Sequence, residues 1–140
     1  MTSAERWAVD TSVAVAALDS GHTAHGACLT AVQDNRPALA GHAAFEVFSV
    51  LTRMPGAIRV DPTDAATLMQ RVFPHLAWLS PDGHTQLLPR LAVVGISGGA
   101  VYDALVGAAA HEAGRTLLTR DRRAQRTYDL LGVAYQMVGP

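Results

Sequence analysis

The 140-residue chain contains no lysine, so all 11 of its basic residues are arginine. This absence excludes several classes of phosphate-handling protein. P-loop NTPases, protein kinases and phospho-acceptor receiver domains each need an active-site lysine, and Schiff-base enzymes form their covalent intermediate on one. The 11 basic residues nearly balance 12 acidic ones, and the resulting net charge of −1 argues against a generic basic nucleic-acid binder.

Cysteine, a targeting segment and long apolar runs are also scarce or absent. Cys28 is the single cysteine, so the chain has no internal disulfide. The first residues lack the basic segment and apolar core of a signal peptide, and the longest apolar run, 104–110, is far shorter than a membrane span. We therefore expect a cytoplasmic protein with no membrane association. Its composition, 49% hydrophobic and 16% charged, excludes disorder and predicts one domain, residues 1–140.

Short apolar runs alternate with helical patterns, which predicts an α/β fold with a parallel sheet covered by helices on both faces. Strands are expected over residues 7–9, 37–40, 116–119 and 133–138, and the segment 76–79 is either a brief strand or the continuation of a helix. Helices are expected over residues 13–18, 23–32, 42–54, 61–73, 80–91, 100–112 and 121–131.

Two acidic residues directly follow predicted strands. Asp10 lies at the carboxyl end of the first strand, and Asp121 lies just beyond the carboxyl end of strand 116–119. Parallel sheets bind ligands outside these strand ends, so both residues are placed at the expected site. Each, taken alone, is also typical of an ordinary helix N-cap.

Asp103 lies in a helix that is apolar nearly all round. Its neighbours at three and four residues are Gly99, Ala100, Val106 and Gly107, none of which is a cation. An unpartnered buried carboxylate is unstable by several kcal/mol or loses its charge. Asp103 therefore needs a metal ion, an arginine from elsewhere in the fold, or a place in a cleft.

Glu46 belongs to a polar stripe on the predicted helix 42–54. The other members of the stripe are His42, Ser49 and Arg53, and the opposite face carries Phe45, Val47, Phe48 and Leu51. A solvated helix surface explains this pattern about as well as an acid that faces a cleft.

Several carboxylates in one crevice repel one another unless a divalent cation neutralises them, and their hard oxygen atoms suit Mg²⁺ or Mn²⁺. Zinc is a weaker hypothesis because His22 and His25 lack further nitrogen or sulfur partners. Near Asp121, five of the 11 arginines fall within twelve residues, which favours phosphate contact over a solvated helix face. These are Arg115, Arg120, Arg122, Arg123 and Arg126.

Four motifs resemble those of the PIN-domain ribonucleases, and more narrowly those of the VapC toxins of bacterial toxin–antitoxin pairs. They are Asp10-Thr11-Ser12-Val13, then Glu46-Val47 with Leu51-Thr52-Arg53, then Tyr102-Asp103-Ala104-Leu105, then Leu117-Leu118-Thr119-Arg120-Asp121-Arg122-Arg123-Ala124. The resemblance implies a three-layer α/β/α domain with a central parallel sheet. It also implies an endoribonuclease dependent on Mg²⁺ or Mn²⁺, a homodimer, and a cognate VapB-type antitoxin that blocks the active site.

The same resemblance assigns the site. It implies a catalytic acidic cluster of Asp10, Glu46, Asp103 and Asp121, in which Asp10 and Asp103 are the metal ligands. Residues expected to bind the RNA substrate are Thr11, Thr119, Arg120, Arg122 and Arg123. Aromatic residues, which stack unpaired bases, make up only 6% of the chain. Residues 55–95 carry no motif of the family and are expected to set substrate choice.

Two alternatives remain open. One is a catalytically silent module of the same fold that binds RNA or protein, although all four acids are present. The other is an esterase, because residues 95–99 match the Gly-x-Ser-x-Gly elbow around Ser97. Asp103 and His111 then lie on the following helix and cannot converge on Ser97 as a triad. We expect Ser97 to be a helix N-cap.

Overall fold

A five-stranded parallel sheet forms the centre of the protein. The computed structural model describes residues 6–139. Its strands are β1 (Trp7–Val9), β2 (Ala38–Ala40), β3 (Leu76–Ala77), β4 (Thr116–Thr119) and β5 (Tyr135–Met137). Neighbouring strands all pair in parallel, in the order β3-β2-β1-β4-β5. The central strands β2, β1 and β4 are almost wholly buried, which is typical of strands covered on both faces.

Seven α-helices in the described part of the chain connect these strands. They are α1 (Thr11–Leu18), α2 (His25–Asn35), α3 (Ala43–Arg53), α4 (Pro62–Val72), α5 (Pro81–Val94), α6 (Ala100–Glu112) and α7 (Ala124–Leu130). They pack in two groups: α1 contacts α2 and α3, α3 contacts α4, and separately α6 contacts α5 and α7. Right-handed crossovers place the two groups on opposite faces of the sheet. The predicted three-layer α/β/α fold is confirmed.

Capping residues explain where several helices begin. The Asp10 side chain accepts a hydrogen bond from the Val13 N–H at 3.3 Å and caps α1. The Ser80 hydroxyl accepts from the Gly83 N–H at 2.9 Å and caps α5. Asp61 caps α4, with Pro62 at the first helical position, where its missing N–H has no intrahelical partner to lose.

Two local predictions are wrong. Ser97 is not an N-cap, because α6 begins after Gly99 and no side chain accepts a hydrogen bond at that end. The last helix begins at Ala124 and not at Asp121. Residues 121–123 form a turn in which Asp121 Oδ1 accepts the Arg123 N–H at 3.0 Å. This turn leaves the Asp121 carboxylate at the end of β4 instead of inside a helix.

The order of the strands determines where a ligand site can form. The chain passes from β1 to one side of the sheet, through β2 and β3, and later from β4 to the other side, through β5. The crossover helices therefore diverge between β1 and β4 and leave a crevice outside the carboxyl ends of these two strands.

No helix within residues 6–139 is long and apolar enough to cross a membrane. Residues 1–5, which belong to the segment expected not to be a signal peptide, lie outside the described residues. Cys28 is a buried free thiol on α2, consistent with the absence of an internal disulfide.

Candidate active site

Four carboxylates from four separate elements line one cavity of about 230 Å³ at the ends of β1 and β4. Asp10 follows β1, Glu46 lies on α3, Asp103 lies on α6 and Asp121 follows β4. The remaining lining residues are Thr11, Ser12, Val106 and Tyr128. The structure thus brings together all four acidic residues singled out from the sequence, although 111 residues separate Asp10 from Asp121.

Asp10 is the most buried of the four, with 4% of its surface exposed. Its Oδ1 accepts the Ser12 hydroxyl at 2.5 Å, and its Oδ2 accepts the Tyr128 hydroxyl at 2.9 Å. Burial raises the pKa of Asp10, and the hydrogen bonds from Ser12, Thr119, Tyr128 and the Val13 amide oppose that rise. These donors hold the carboxylate in one orientation and favour its charged form.

Thr119 is fully buried at the end of β4, so its position does not suit direct contact with a substrate. Its Oγ1 accepts the Asp121 N–H at 3.1 Å, and its hydroxyl hydrogen-bonds Asp10. Ser12 makes a parallel link, since its hydroxyl also accepts the Arg120 N–H at 2.8 Å. The two hydroxyls therefore join the ends of β1 and β4 and set the spacing between Asp10 and Asp121.

Glu46 is held by a side chain from a different helix. The Thr11 hydroxyl, in the first turn of α1, donates to Glu46 Oε1 at 3.1 Å. Both residues are partly exposed, and both also line a second groove outside the cavity. Of the two interpretations left open for Glu46, the cleft-facing acid is therefore the one that the structure supports.

Asp103 carries the clearest electrostatic signature of the site. Its pKa is raised to about 6, first by burial and then by the negative charges of Asp121, Glu46 and Asp10. Arg123 is the cation that partly offsets this rise. Like charges collected in a half-buried cavity disfavour ionisation of any one of them. A bound divalent cation would remove that penalty.

The arginine-rich segment divides between the two ends of the sheet. Arg115 precedes β4, and its Nη1 donates to the Trp7 carbonyl at 3.1 Å. About 16 Å of extended chain lies between Arg115 and Arg120. Arg120 Nη1 donates to the Val138 carbonyl at 2.8 Å and holds the segment after β5. The expectation that all five arginines surround Asp121 is wrong, because β4 separates Arg115 from the other four.

Arg122 and Arg123 are exposed in the turn that directly follows Asp121, which lines the cavity. The effect of Arg123 on the pKa of Asp103 shows that its charge reaches the acidic cluster. Arg126 is exposed on α7. The structure thus leaves Arg122 and Arg123 as the arginines best placed to meet an anionic ligand there.

The weaker site hypotheses gain no support. His22 Nδ1 accepts the Ala24 N–H at 3.0 Å, and His25 Nδ1 lies 2.9 Å from the Ala16 carbonyl, so both rings serve the turn before α2. Ser97 is exposed before α6, and Asp103 and His111 both lie on that helix. Asp103 lines the acidic cavity, whereas His111 lines a different one. They do not form a triad with Ser97.

The chemistry of the cavity fits a hard divalent cation. Its donors are carboxylate and hydroxyl oxygens, and burial together with the charges of the other acids disfavours the negative charge of Asp103. Across residues 6–139, no three His, Cys, Asp or Glu side chains already stand where they could hold an ion. Mg²⁺ does not require three, because it usually binds one or two carboxylates and keeps several waters.

Tyr128 is the main site residue that the sequence did not identify. It lies on α7, and its only signal was spacing: four residues after Ala124 and three before Leu131, both of which are buried. A tyrosine on the apolar face of a helix normally needs a partner for its hydroxyl. Here that partner is Asp10, 118 residues away.

Comparison with known proteins identifies relatives over most of the chain. Residues 8–130 match the PIN domain family. Ribonuclease VapC27 from Mycobacterium tuberculosis (strain ATCC 25618 / H37Rv) is 50% identical over 127 residues, which are 90% of this chain and 92% of that protein. Ribonuclease VapC40 from the same species (strain CDC 1551 / Oshkosh) is 42% identical over 133 residues, 94% of this chain and 98% of that protein.

One solved structure shares the fold. The crystal structure of VapBC2 from Rickettsia felis, bound to a DNA fragment from their promoter, contains a chain that matches this one with a TM-score of 0.65. The match covers 94% of this chain and 97% of the other at 14% sequence identity.

Proposed function

The chain belongs to the PIN-domain family and within it to the VapC ribonucleases, and on this premise we propose that it is a toxin endoribonuclease dependent on Mg²⁺ or Mn²⁺. One observation carries the metal dependence. Four carboxylates from four elements line a single small cavity, and their mutual repulsion helps to raise the pKa of Asp103 to about 6. Such an arrangement is unfavourable by itself and becomes favourable once a divalent cation is bound.

In the proposed mechanism each acid has a distinct task. Asp10 and Asp103 would hold the metal ion, and the donors around Asp10 orient its carboxylate and oppose the rise in its pKa that burial causes. When bound there, Mg²⁺ or Mn²⁺ would supply a nucleophilic water at neutral pH and would stabilise negative charge on the phosphodiester. Glu46, steadied by Thr11, and Asp121 orient the attacking water. These two are the proposed bases because Asp10 and Asp103 are assigned to the metal ion.

Substrate binding is assigned mainly to the mouth of the cavity. Arg122 and Arg123 hold the RNA backbone, since guanidinium groups bind phosphate oxygens in pairs of hydrogen bonds. Arg120 and Thr119 act indirectly: Arg120 holds the last strand and Thr119 positions Asp10 and Asp121. Phosphate contacts give affinity but little sequence information.

The proposed function includes four further expectations. We propose a VapB-type antitoxin as the protein partner, because the fold is shared with a chain of a VapBC complex. We also propose that the protein is a homodimer and acts in the cytoplasm. Residues 1–140 are proposed to form a single nuclease domain, of which residues 8–130 match the family.

The deciding experiment measures cleavage of total bacterial RNA, with cut sites mapped by end sequencing. We expect cleavage with Mg²⁺ or Mn²⁺ and none with EDTA. Asp10→Asn and Asp103→Asn should each lower the rate at least about a hundredfold, which corresponds to about 2.7 kcal/mol of activation free energy. Asp34→Asn, which removes an exposed acid on α2 outside the cavity, is the matched control and should leave the rate unchanged.

The same experiment separates the alternatives. Cleavage that survives EDTA and both cavity substitutions would refute the metal mechanism. RNA binding without any cleavage by the wild type would instead favour a catalytically silent module.

A further inference from the structure

The few aromatic residues of this chain are not scattered over its surface. The chain has three Phe, three Tyr and two Trp. Within residues 6–139, three of these side chains have more than a third of their surface exposed: Phe45 (64%), Trp78 (50%) and Tyr102 (51%). Phe45 was expected on the apolar face of its helix, yet its ring faces solvent. All three exposed rings lie in one row.

The row is continuous because His42 joins its two halves. The His42 and Tyr102 rings are stacked, with centroids 5.1 Å apart and planes at 19°. The Phe45 ring lies 6.5 Å from His42 and 5.7 Å from Trp78. We call these four side chains, Tyr102, His42, Phe45 and Trp78, the aromatic row.

The aromatic row begins at the acidic cavity. Tyr102 directly precedes Asp103, and Phe45 directly precedes Glu46, so two catalytic acids and two exposed rings share the same helical turns. Beside the row runs a groove of about 430 Å³ that shares Thr11 and Glu46 with the cavity. The groove is lined by Thr11, His42, Phe45, Glu46, Ser49, Val50 and Arg53.

The lining of this groove favours a nucleic acid strand over a protein segment. It combines aromatic rings with hydroxyl groups and the exposed cation Arg53, whereas a peptide groove is mainly apolar. Unpaired bases stack on aromatic side chains, and their phosphates contact cations beside those rings. Stacking accepts any base. Phe45 and Trp78 also border an apolar groove of about 400 Å³ on their other side, so a protein partner there is the competing occupant.

We propose that the aromatic row is a stacking platform for unpaired nucleotides next to the scissile phosphate. The inference rests on the proposed ribonuclease function and names a recognition element for it. RNA whose bases are splayed out near the cut would place them on Phe45 and Tyr102 while its phosphate enters the acidic cavity. Arg53 would meet a phosphate further along the strand.

The test compares two probes in an Asp103→Asn background, which removes cleavage. One is a fluorescein-labelled single-stranded 12-nucleotide RNA of mixed sequence, and the other has four central abasic positions. Phe45→Leu and Tyr102→Leu retain apolar volume but remove the ring. Each should weaken anisotropy-measured binding of the intact RNA about tenfold. Neither should change binding of the abasic RNA, for which the parent protein already has the lower affinity.

Two controls distinguish stacking from a general loss of exposed apolar surface. Phe45→Tyr keeps a ring and should bind like the parent. Val93→Ala removes an exposed side chain of α5 that lines none of the cavities described, and should have no effect. Because the altered rings are largely exposed, all variants should unfold at the temperature of the parent.

Three results would overturn the platform. They are equal affinity of the parent for intact and abasic RNA, unchanged affinity in both leucine variants, and a Phe45→Leu change confined to self-association in sedimentation velocity. The last would assign the surface to a second copy of the chain. A fourth, kinetic result would also remove the platform but leave the ribonuclease function intact: RNA cleavage with unchanged KM by the otherwise wild-type chain carrying Phe45→Leu and Tyr102→Leu.

Discussion

At the scale of single residues, the site is organised around Asp10. Burial disfavours its charge, yet side-chain donors from Ser12, Thr119 and Tyr128 surround it. Carboxylates that bind metal ions commonly depend on such partners for their orientation and charge. Asp103 differs, because burial and then the other acids raise its pKa and no comparable set of donors opposes this rise. The two proposed metal ligands are therefore stabilised in different ways.

Tyr128→Phe should weaken metal use without removing a ligand. Loss of the hydroxyl raises the pKa of Asp10 further, because that hydrogen bond lowers it. We expect the Mg²⁺ concentration for half-maximal cleavage to rise about tenfold, more at pH 6 than at pH 8. Tyr135→Phe removes a hydroxyl outside the cavity and should leave the requirement unchanged. Equal Mg²⁺ titrations for Tyr128→Phe and wild type would contradict this prediction.

Asp103→Asn should stabilise the metal-free protein while it abolishes cleavage. In the folded state the pKa of Asp103 is about 6, against 3.8 in the unfolded chain. Between these values the folded state holds the proton more tightly, so wild-type stability falls as pH rises from 4 to 6. With allowance for solvent screening at this half-buried group, the loss is about 1–2 kcal/mol at pH 7.5.

Urea unfolding in EDTA at pH 4.5 and pH 7.5 measures this effect. The unfolding free energy of Asp103→Asn should exceed that of the wild type at pH 7.5, and this difference should vanish near pH 4. Asp34→Asn should show no such difference between the two pH values. A destabilised Asp103→Asn variant at pH 7.5 would mean that the charge of Asp103 is compensated in the metal-free protein.

At the scale of secondary-structure elements, close packing of α6 on α7 places Tyr128 at the site. Gly107 is buried on α6 where it meets α7. A Cβ at this position would lie 3.0 Å from Tyr128 Cδ1 and 3.1 Å from Val133 Cγ2. The missing side chain lets the two helices approach, so the Tyr128 hydroxyl reaches Asp10. α6 carries both this glycine and Asp103, and it aligns two parts of the site at once.

Gly107→Ala tests this packing against a matched glycine. In an open helix position, alanine is favoured over glycine by up to about 1 kcal/mol. Gly26→Ala, where nothing lies within 4 Å of the new Cβ, should therefore be neutral or stabilising. At Gly107 the new Cβ would be crowded, so alanine should lower the free energy of unfolding by about 1–3 kcal/mol. The same crowding should lower the cleavage rate. Equal unfolding free energies and rates for the two variants would show that α7 can shift without disturbing Asp10.

At the scale of the whole molecule, the net charge of −1 averages two opposite regions. An acidic cavity at the sheet edge is bordered by the exposed arginines Arg122 and Arg123. A bound divalent cation would turn the cavity from repelling RNA phosphate to attracting it. A net charge of −1 therefore excludes only proteins that bind nucleic acid through uniform positive charge.

Metal binding should stabilise the entire fold, because the ligands converge only in the folded state. A hundredfold excess of Mg²⁺ over its Kd adds about 2.7 kcal/mol to the unfolding free energy. We expect Mg²⁺ or Mn²⁺ to raise the melting temperature of the wild type and of Asp34→Asn. Differential scanning fluorimetry measures this change. Asp10→Asn and Asp103→Asn should lose most of this increase. An undiminished increase in both would place the metal away from the cavity.

Much of the fold followed from local sequence signals. Apolar runs identified β1 and β4, and turn and capping residues placed most helix ends within a few residues. Asp10 and Asp121 were recognised because a residue that directly follows a parallel strand lies at the ligand-binding end of the sheet. This holds for any arrangement of the other elements. The capping role of Ser97 and the start of the last helix at Asp121 were predicted wrongly, because both residues lie in turns that precede the helix by two or three residues.

What the sequence by itself determined is the set of acids and the alternation of strands and helices, since both depend on residues close together in the chain. Tertiary structure alone decided which groups surround them. The Tyr128 hydrogen bond to Asp10 and the contact between Phe45 and Trp78 join segments that only the crossovers of the sheet bring together. Such contacts depend on the directions in which helices leave the sheet, and spacing along one segment does not record those directions.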